Sequence, residues 1–281
     1  MAEPALRPLP DYSNLLSVKD NVILVTGASS GLGASFSRFL ANQGAKVVLA
    51  ARRLDKLEAL VADIKAAGGE AAAVQLDVGA GQEKVVAGVD EAIAAFGHID
   101  VLVNNAGIYE GGAFPNDTQA TFDRSFGVNV GGLLFTAQAV AKHMISKGIK
   151  GRIINNSSNM AFEGLVMKGS EIYSATKAAV VQMTRVMAVD LAPKGITVNS
   201  IAPGVHPGTG MTGPVAEHTK QAVKAIPDGR WGDPDATDLM GTLLLLASER
   251  GARHMVGAII PIDGGHHLYT MDMFNPTGIF Q

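Results

Sequence analysis

Tyr173 and Lys177 stand four residues apart in a segment whose pattern predicts a helix, so both side chains leave the same face about one turn apart. A free phenol has a pKa of about 10 and is a poor base near neutral pH. A cation within a few ångströms favours the phenolate and lowers the pKa of the phenol. Tyr173 could then pass a proton to or from a substrate oxygen. The alternative interpretation is a surface lysine beside a half-buried tyrosine.

Size and composition indicate a single domain that binds a small molecule. The chain has 281 residues, 47% of them hydrophobic, which is enough for a large core in a single α/β domain. Its net charge is −3 and the charges are dispersed, so no nucleic-acid partner is expected. The absence of cysteine excludes disulfides, thiolate metal sites and a cysteine nucleophile, and it fits a reducing compartment.

The sequence shows no sign of secretion or membrane insertion. Residues 1–20 lack the apolar run of a secretory signal and are predicted to form a loose N-terminal arm. The longest uncharged helical stretch, Ser125 to Ala141, includes Asn129, Gly131, Gly132 and Gln138, which suits a buried or intersubunit helix better than a membrane span. We therefore expect a soluble, cytoplasmic protein.

Short β-branched runs alternate with longer helical patterns, which is typical of parallel strands joined by crossover helices. The predicted strands are Val22 to Val25, Lys46 to Ala50, Ala72 to Leu76, Val101 to Val103, Arg152 to Asn155, Thr197 to Ile201 and Ala258 to Ile262. The predicted helices are Phe36 to Gln43, Leu54 to Ala67, Glu83 to Phe96, Thr118 to Lys147, Ser170 to Ala192 and Thr237 to Ser248. Residues 21–265 are thus predicted to form one doubly wound α/β domain of the Rossmann type, with a seven-stranded, mostly parallel sheet and helices on both faces.

One irregular segment rich in proline and glycine, Ala202 to Asp235, interrupts this alternation. It follows the carboxyl end of a strand, the side on which open α/β sheets bind ligands, and long inserts in compact domains are usually functional. We predict that residues 203–235 form a substrate lid, with a disordered connector as the alternative.

A glycine-rich turn follows the first predicted strand and precedes a helix. Glycines there allow a tight turn and bring backbone N–H groups close to a pyrophosphate, while the helix N-terminus favours negative charge. The spacing is GxxxGxG rather than the GxGxxG of the general dinucleotide fingerprint. The residues predicted to contact the cofactor are Gly27, Ser29, Ser30, Gly31, Leu32 and Gly33.

The end of the second strand predicts the choice of cofactor. NAD-specific sites place an acidic residue there to bind the ribose 2′-OH, whereas an arginine accommodates the 2′-phosphate of NADP. Ala51 stands where the acidic residue would be, and Arg52 comes next, with a guanidinium suited to phosphate. NADP(H) is therefore favoured over NAD(H), although Arg52 and Arg53 could also be a solvated helix start and Ser30 is not basic.

A set of motifs in a fixed order makes the chain resemble the short-chain dehydrogenases/reductases. The motifs are Thr26-Gly27-x3-Gly31-x-Gly33, Asp77, Asn104-Asn105-Ala106-Gly107, Asn129, Ser158, Tyr173-x3-Lys177, Pro203-Gly204 and Asp263-Gly264-Gly265. They extend over nearly the whole chain, so a chance match is implausible. The resemblance implies a homo-oligomer, tetramer or dimer, assembled through the long helices and the last strand.

By this resemblance, four residues form the catalytic set: Asn129, Ser158, Tyr173 and Lys177. Tyr173 is the acid in carbonyl reduction and the base in alcohol oxidation. Lys177 lowers its pKa and grips the nicotinamide ribose, while Asn129 anchors the water of a proton relay. Ser158 holds the substrate oxygen, with Ser157 open as the alternative, because the spacing from Ser158 to Tyr173 is slightly longer than in relatives.

The resemblance also implies further cofactor contacts. The adenine ring would meet Asp77 and Val78. The residues at the end of the fourth strand, beneath the adenosine, would be Asn105, Ala106 and Gly107. The contacts on the nicotinamide side would come from Tyr173, Lys177, Pro203, Gly204, Thr209 and Met211. Ordinary turn chemistry is the alternative for the Asn and Gly positions.

The leading hypothesis is an NADP(H)-dependent carbonyl reductase or alcohol dehydrogenase, which interconverts a ketone or aldehyde and an alcohol by hydride transfer. An uncharged, largely apolar substrate is expected from the residues near the site, which are Met160, Phe162, Leu165, Val166, Met167, Val205, Met211, Val215, Ala216, Ile226 and Trp231. A carboxylate or CoA substrate would need a fixed cation, for which Lys168 and Arg230 are the candidates. The alternatives are an NAD-dependent alcohol dehydrogenase and, in another class, a catalytically silent nucleotide-binding regulatory protein.

The chain ends in a histidine pair and an apolar tail, residues 266–281. Adjacent side chains diverge and no carboxylate cluster accompanies His266 and His267, so no metal site is predicted and tail packing or solvent exposure is expected. The apolar tail could cover a pocket or dock on the subunit surface.

Overall fold

The computed structural model describes residues 11–111, 114–162, 169–209, 211 and 223–268. The strands within these ranges are Val22–Thr26 (β1), Lys46–Ala51 (β2), Glu70–Gln75 (β3), Val101–Asn104 (β4), Arg152–Asn156 (β5), Thr197–Pro203 (β6) and Ile259–Ile262 (β7). The α-helices are Gly31–Asn42 (α1), Leu54–Ala66 (α2), Gln82–Phe96 (α3), Gln119–Phe126 (α4), Leu133–Lys147 (α5), Glu171–Leu191 (α6) and Thr237–Ala247 (α7). A π-helical turn, Gly127–Gly132, joins α4 to α5, and 3-10 turns lie at Asn159–Ala161 and Ala192–Lys194.

These strands form one parallel sheet in the order β3-β2-β1-β4-β5-β6-β7. Ile23 of β1 lies opposite Val47 of β2 on one side and Val101 of β4 on the other. The strand order reverses between β1 and β4, which opens a crevice at their carboxyl ends. The prediction of a seven-stranded, doubly wound Rossmann-type sheet is confirmed.

Helices cover both faces of the sheet, each over its own apolar core. Ile23 and Val25 of β1 pack on the face covered by α1, α2 and α7, whereas Val22 and Leu24 pack on the face covered by α3 and α5. Because β1 and β4 are buried on both faces, their sequences read as continuous apolar runs instead of alternating ones.

Two predicted boundaries and one predicted continuous helix differ from the structure, each for a local reason. α1 begins at Gly31 and not at Phe36, because the glycine turn itself forms the start of the helix. β6 continues to Pro203, so the first residue of the predicted lid belongs to a strand. The helix predicted from Thr118 to Lys147 contains the π-helical turn, whose three glycines have low helix propensity.

Residues 11–20 of the predicted N-terminal arm lie against the domain. Val18 is buried in the core, the Asp20 N–H donates to the Gly44 carbonyl (2.9 Å), and Arg250 donates to the Asp11 carbonyl (2.6 Å). None of the helices in the described ranges combines the length and the apolar character that a membrane crossing requires.

Candidate active site

The predicted site residues meet at the carboxyl edge of the sheet. The glycine turn follows β1, Asn105 follows β4, and Ser158 follows β5. Tyr173 and Lys177 lie in the first two turns of α6, which packs against β5 and β6. The crevice between β1 and β4 therefore opens beside all of these residues, where doubly wound sheets bind nucleotides.

The glycine turn fits a pyrophosphate. Gly27 has a φ of +69°, and a Cβ there would lie 2.9 Å from Ala106 Cα, so a side chain does not fit. Ser30 precedes α1 without capping it through its side chain, and the first turn of α1 carries no acidic residue. The first backbone N–H groups of α1 therefore remain available to a phosphate group.

Arg53 lies on the glycine turn, which the sequence analysis did not anticipate. Its Nη2 donates to Ser29 Oγ (2.8 Å) and to Ser30 Oγ (2.9 Å). The neighbouring Arg52 is exposed, and its carbonyl accepts a hydrogen bond from Gln75 Nε2 (2.9 Å). Because β1 and β2 end side by side, a residue just after β2 can reach the turn after β1, and this adjacency could have identified Arg53.

A network of hydrogen bonds connects the glycine turn to α6. Thr26 Oγ1 accepts from the N–H groups of Asn105 and Ala106 (both 3.0 Å). Asn156 Nδ2 donates to Asn105 Oδ1 (2.8 Å). Lys177 Nζ donates to the Asn156 carbonyl (2.9 Å). The ends of β1, β4 and β5 and the Lys177 ammonium are thus held in one frame.

Burial controls the protonation of the Tyr173–Lys177 pair. Tyr173 is 7% exposed and Lys177 is 3% exposed. Desolvation raises the pKa of Tyr173 to about 12, opposed by a hydrogen bond from Ser158, and it lowers the pKa of Lys177 to about 8. In the protein by itself burial therefore dominates the pKa of Tyr173, and Lys177 Nζ binds the Asn156 carbonyl (2.9 Å). That the Lys177 charge lowers the pKa of the phenol stays a prediction.

The two candidate serines have different hydrogen-bond partners in the structure. Ser157 Oγ donates to the Lys177 carbonyl (2.9 Å), so this hydroxyl is used to hold α6 against β5. Ser158 is the serine whose hydroxyl lowers the pKa of the Tyr173 phenol by hydrogen bonding, and its Oγ accepts from the Met160 N–H (3.2 Å). The position next to the phenol therefore belongs to Ser158.

Asn129 is buried in the π-helical turn and joins three segments. Its Oδ1 accepts from the Ile108 N–H (2.8 Å), and its Nδ2 donates to the Ile108 carbonyl (2.9 Å) and to Thr176 Oγ1 (3.1 Å). A Cβ at Gly107 would lie 3.3 Å from Asn129 Oδ1 and 3.5 Å from Lys177 Nζ. Gly107 thus leaves the space in which the Asn129 amide and the ammonium come near each other.

Tyr109 is a site residue that the sequence analysis missed. Its ring meets the Tyr173 ring edge-on, with centroids 5.0 Å apart, and its hydroxyl donates to the Gly169 carbonyl (3.3 Å). It follows the Asn105-Ala106-Gly107 motif by two positions, which is the only signal in the sequence that could have indicated it.

Asp77 and Val78 occupy a turn at the end of β3. Asp77 Oδ1 accepts from the Gly79 N–H (2.9 Å), and Val78 is buried against the π-helical turn. Turn chemistry explains both residues, and the structure adds no contact that is specific for a cofactor.

The described part of the predicted lid reaches from the glycine turn to Tyr173. Gly204 donates its N–H to the Ile262 carbonyl (3.0 Å), and the Thr209 backbone lies against Gly31. Tyr173 OH donates to Met211 Sδ (3.8 Å). A cavity of about 390 Å³ beside the glycine turn is lined in part by Ser29, Ser30, Gly31 and Thr209. The predicted lining residues that lie outside the described ranges are Leu165, Val166, Met167, Lys168, Val215 and Ala216.

Arg230, one of two candidate cations for a charged substrate, is engaged in ion pairs. It pairs with both oxygens of Asp238 (3.0 and 2.9 Å) and with Asp228 (2.9 Å). The hydrogen bonds from Arg230 lower the pKa of Asp238 to about 2. Arg230 therefore ties the lid to the start of α7 instead of offering a charge to a ligand.

His266 and His267 are half-buried beside the site, which favours packing over solvent exposure, the two alternatives for this pair. His267 Nδ1 lies 2.9 Å from Asp263 Oδ1, and the His267 N–H donates to Asp263 Oδ2 (2.7 Å). His266 Nδ1 lies 3.5 Å from Asn159 Nδ2. Across the residues that the structure describes, no group of three or more potential metal ligands comes together.

The chain is similar in sequence to known dehydrogenases and oxidoreductases. The sequence model of a family described as "short chain dehydrogenase" matches residues 21–220. An uncharacterized oxidoreductase of Methylorubrum extorquens is 41% identical over 88% of this chain and 98% of its own length. A sorbitol dehydrogenase of Cereibacter sphaeroides is 37% identical over 86% of this chain and 96% of its own length.

A solved structure agrees with the sequence relatives. The crystal structure of a short-chain type dehydrogenase/reductase from Mycobacterium marinum matches with a TM-score of 0.85 and 36% identity, over 91% of this chain and 99% of that one. The chain belongs to the short-chain dehydrogenase/reductase family and is an oxidoreductase of alcohol- and ketone-type substrates.

Proposed function

We propose that the protein is an NADP(H)-dependent oxidoreductase that interconverts an uncharged ketone or aldehyde and the corresponding alcohol. The observation that carries the proposal is the meeting of Tyr173, Ser158 and Lys177 at the sheet edge, joined through Asn156 and Asn105 to the glycine turn. This arrangement provides an acid for the substrate oxygen within reach of a nucleotide-binding turn.

Other residues of the chain are proposed to bind the cofactor, to transfer the proton and to hold the substrate oxygen. When bound, the nicotinamide supplies or accepts the hydride. The glycine turn would hold the pyrophosphate, and Lys177 would hold the nicotinamide ribose. Tyr173 gives a proton to the substrate oxygen in reduction and takes one in oxidation, while Ser158 holds the same oxygen. Asn129 keeps the loop after β4 in contact with α6, and we propose that it also anchors the water through which the proton reaches Lys177.

The substrate is proposed to be uncharged. Arg230 already faces two carboxylates, and burial favours the neutral form of His266. Met160, Phe162 and Met211 add apolar side chains near Ser158 and Tyr173. The relative that acts on sorbitol, by its name, also has an uncharged substrate.

Assembly into a homo-oligomer remains part of the proposal. It is supported by exposed apolar side chains on the long helices, namely Phe122 on α4, Ile145 on α5, and Val186 and Val189 on α6.

Substitution of the two neighbouring arginines tests the cofactor preference. We propose that Arg52 binds the 2′-phosphate and that Arg53 holds the glycine turn through Ser29 and Ser30. Arg52→Ala should then weaken NADPH binding about ten- to a hundredfold, as expected for charge-assisted hydrogen bonds worth about 1.5–3 kcal/mol, and leave NADH binding nearly unchanged. Arg53→Ala should weaken both cofactors together, because both use the turn.

The measurement is fluorescence titration of the wild type and both variants with NADPH and NADH. An NADPH-specific loss in Arg53→Ala alone would move the phosphate contact to Arg53. Tighter binding of NADH than of NADPH by the wild type would refute the NADP preference and support the NAD-dependent alternative.

The pH dependence of the two directions follows from Tyr173. Because burial raises its pKa to about 12, the phenol of the protein by itself is protonated near neutral pH. Reduction uses the protonated form, whereas oxidation uses the ionised fraction, which grows about tenfold per pH unit below the pKa. We expect kcat/KM for alcohol oxidation to rise with pH and kcat/KM for carbonyl reduction to stay level or fall. Below the pKa of Lys177, which is about 8, its ammonium is kept, so an oxidation rate that falls between about pH 6 and 7.5 is incompatible with Tyr173 as the base.

A further inference from the structure

The end of β5, the lid and the segment after β7 meet beside Ser158 in a contact that hydride transfer itself does not need. Asn159 follows Ser158 and is 2% exposed. Its Oδ1 accepts from Ser158 Oγ (3.3 Å), and its Nδ2 lies 3.5 Å from His266 Nδ1. A chain of polar contacts therefore runs from the Tyr173 phenol through Ser158 and Asn159 to His266.

The donor and the acceptor in the contact between Asn159 and His266 follow from the chemistry of the two side chains. An amide nitrogen can only donate, so His266 Nδ1 accepts and the neutral ring carries its proton on Nε2. Burial lowers the pKa of His266, while Asp263 opposes this shift, so the ring is neutral near neutral pH. His266 therefore offers an uncharged donor, which suits a hydroxyl oxygen better than a carboxylate.

Neighbouring side chains hold His266 in a defined place. His267 is bound to the Asp263 carboxylate, whose side chain is 1% exposed, and packs against Phe162 with ring centroids 5.3 Å apart. Trp231 of the lid meets the His266 ring edge-on at 6.5 Å. His266 itself contacts Asn159 and Trp231. A donor that is already held in place can discriminate between ligands without first being ordered.

We propose that His266, positioned by Asn159, binds a second hydroxyl group of the substrate, on the carbon next to the reacting one. The reacting oxygen lies at Tyr173 and Ser158, and the second oxygen accepts from His266 Nε2. The substrate class is then a vicinal diol and its α-hydroxyketone, in which the second hydroxyl is unchanged by the reaction. This inference rests on the proposed oxidoreductase function and narrows its substrate.

Matched substrate pairs test the inference by kinetics. The pairs are acetoin with butanone for reduction, and vicinal cyclohexanediol with cyclohexanol for oxidation. A site built to bind a hydroxyl leaves buried polar groups unpaired when that hydroxyl is missing, so kcat/KM should be at least about tenfold higher for the member that carries it.

Variants of His266 distinguish the loss of hydroxyl recognition from a general loss of folding. His266→Phe should abolish the preference within each pair and change kcat/KM for butanone and cyclohexanol by less than about threefold. His266→Gln retains a neutral donor and should keep part of the preference. His254→Phe, at an exposed position, is the matched control and should behave as the wild type.

Trp231 provides a readout that needs no turnover, since it is the single tryptophan of the chain and contacts His266. In the presence of NADP⁺, cyclohexanediol should change its emission at concentrations at which cyclohexanol does not, and His266→Phe should remove this difference. Equal responses, or equal kcat/KM within the pairs, would overturn the second contact and leave the oxidoreductase function intact. A diol-specific response without turnover of any substrate would instead contradict the proposed function.

Discussion

Tyr173→Phe is expected to lower kcat for carbonyl reduction by roughly 10²–10⁴-fold, the usual contribution of a positioned acid or base. The variant keeps the buried ring and its edge-on contact with Tyr109, and it loses only the hydroxyl that contacts Ser158 and Met211. NADPH affinity should stay within about threefold of the wild type, because the glycine turn, Arg52 and Lys177, which are proposed to bind the charged groups and the ribose of the cofactor, are unchanged. Steady-state kinetics and NADPH titration of the same preparation measure both effects.

Tyr109→Phe is the matched control for this experiment. It removes a hydroxyl that binds the Gly169 carbonyl and leaves the Tyr173 phenol in place. Turnover in this variant should stay within a few-fold of the wild type. Full activity of Tyr173→Phe would exclude the phenol as the acid and base.

Lys177→Met should affect both chemistry and binding. The thioether has a similar length, but it removes the ammonium and its hydrogen bond to the Asn156 carbonyl. We expect kcat/KM to fall by about a hundredfold or more and both NADPH and NADH to bind more weakly, because the proposed ribose contact and the charge near the phenol are lost together. Kinetics, titration with each cofactor and a thermal melt of the same variant give the three readouts.

Lys142→Met on α5 is the control for Lys177→Met, because Lys142 is exposed and far along the chain from the site. It should leave kcat/KM and cofactor affinity unchanged. A folded Lys177→Met protein with wild-type cofactor affinity and turnover would remove Lys177 from the proposed mechanism.

The sheet was predictable because each strand can be recognised from a short stretch of sequence. Strands buried on both faces give continuous apolar runs, and the alternation with helical patterns requires crossover connections. The predicted helices differ from the observed ones at glycine-rich positions, namely at the start of α1 and in the π-helical turn around Asn129. Glycine permits several backbone conformations, so its presence alone does not say which one is adopted.

The site was predictable only in part, because several of its contacts join residues that are far apart in the sequence. Spacing left both Ser157 and Ser158 open, and the hydrogen bond from Ser157 to the Lys177 carbonyl, which favours Ser158 for the catalytic role, joins residues 20 positions apart. The contact of Asn159 with His266 spans 107 positions and follows no periodicity. The pKa of Tyr173 depends on how deeply the ring is buried, which the four-residue spacing to Lys177 does not determine.

Transfer of deuterium from NADPH that carries deuterium in place of both hydrogens at the nicotinamide C4 tests the central claim most directly. The labelled cofactor is incubated with the protein and either acetoin or butanone, and the alcohol product is analysed by mass spectrometry and NMR. We predict one deuterium atom on the carbinol carbon of the product, absent with Tyr173→Phe. Cofactor binding without any labelled alcohol from either ketone would contradict the proposed oxidoreductase mechanism.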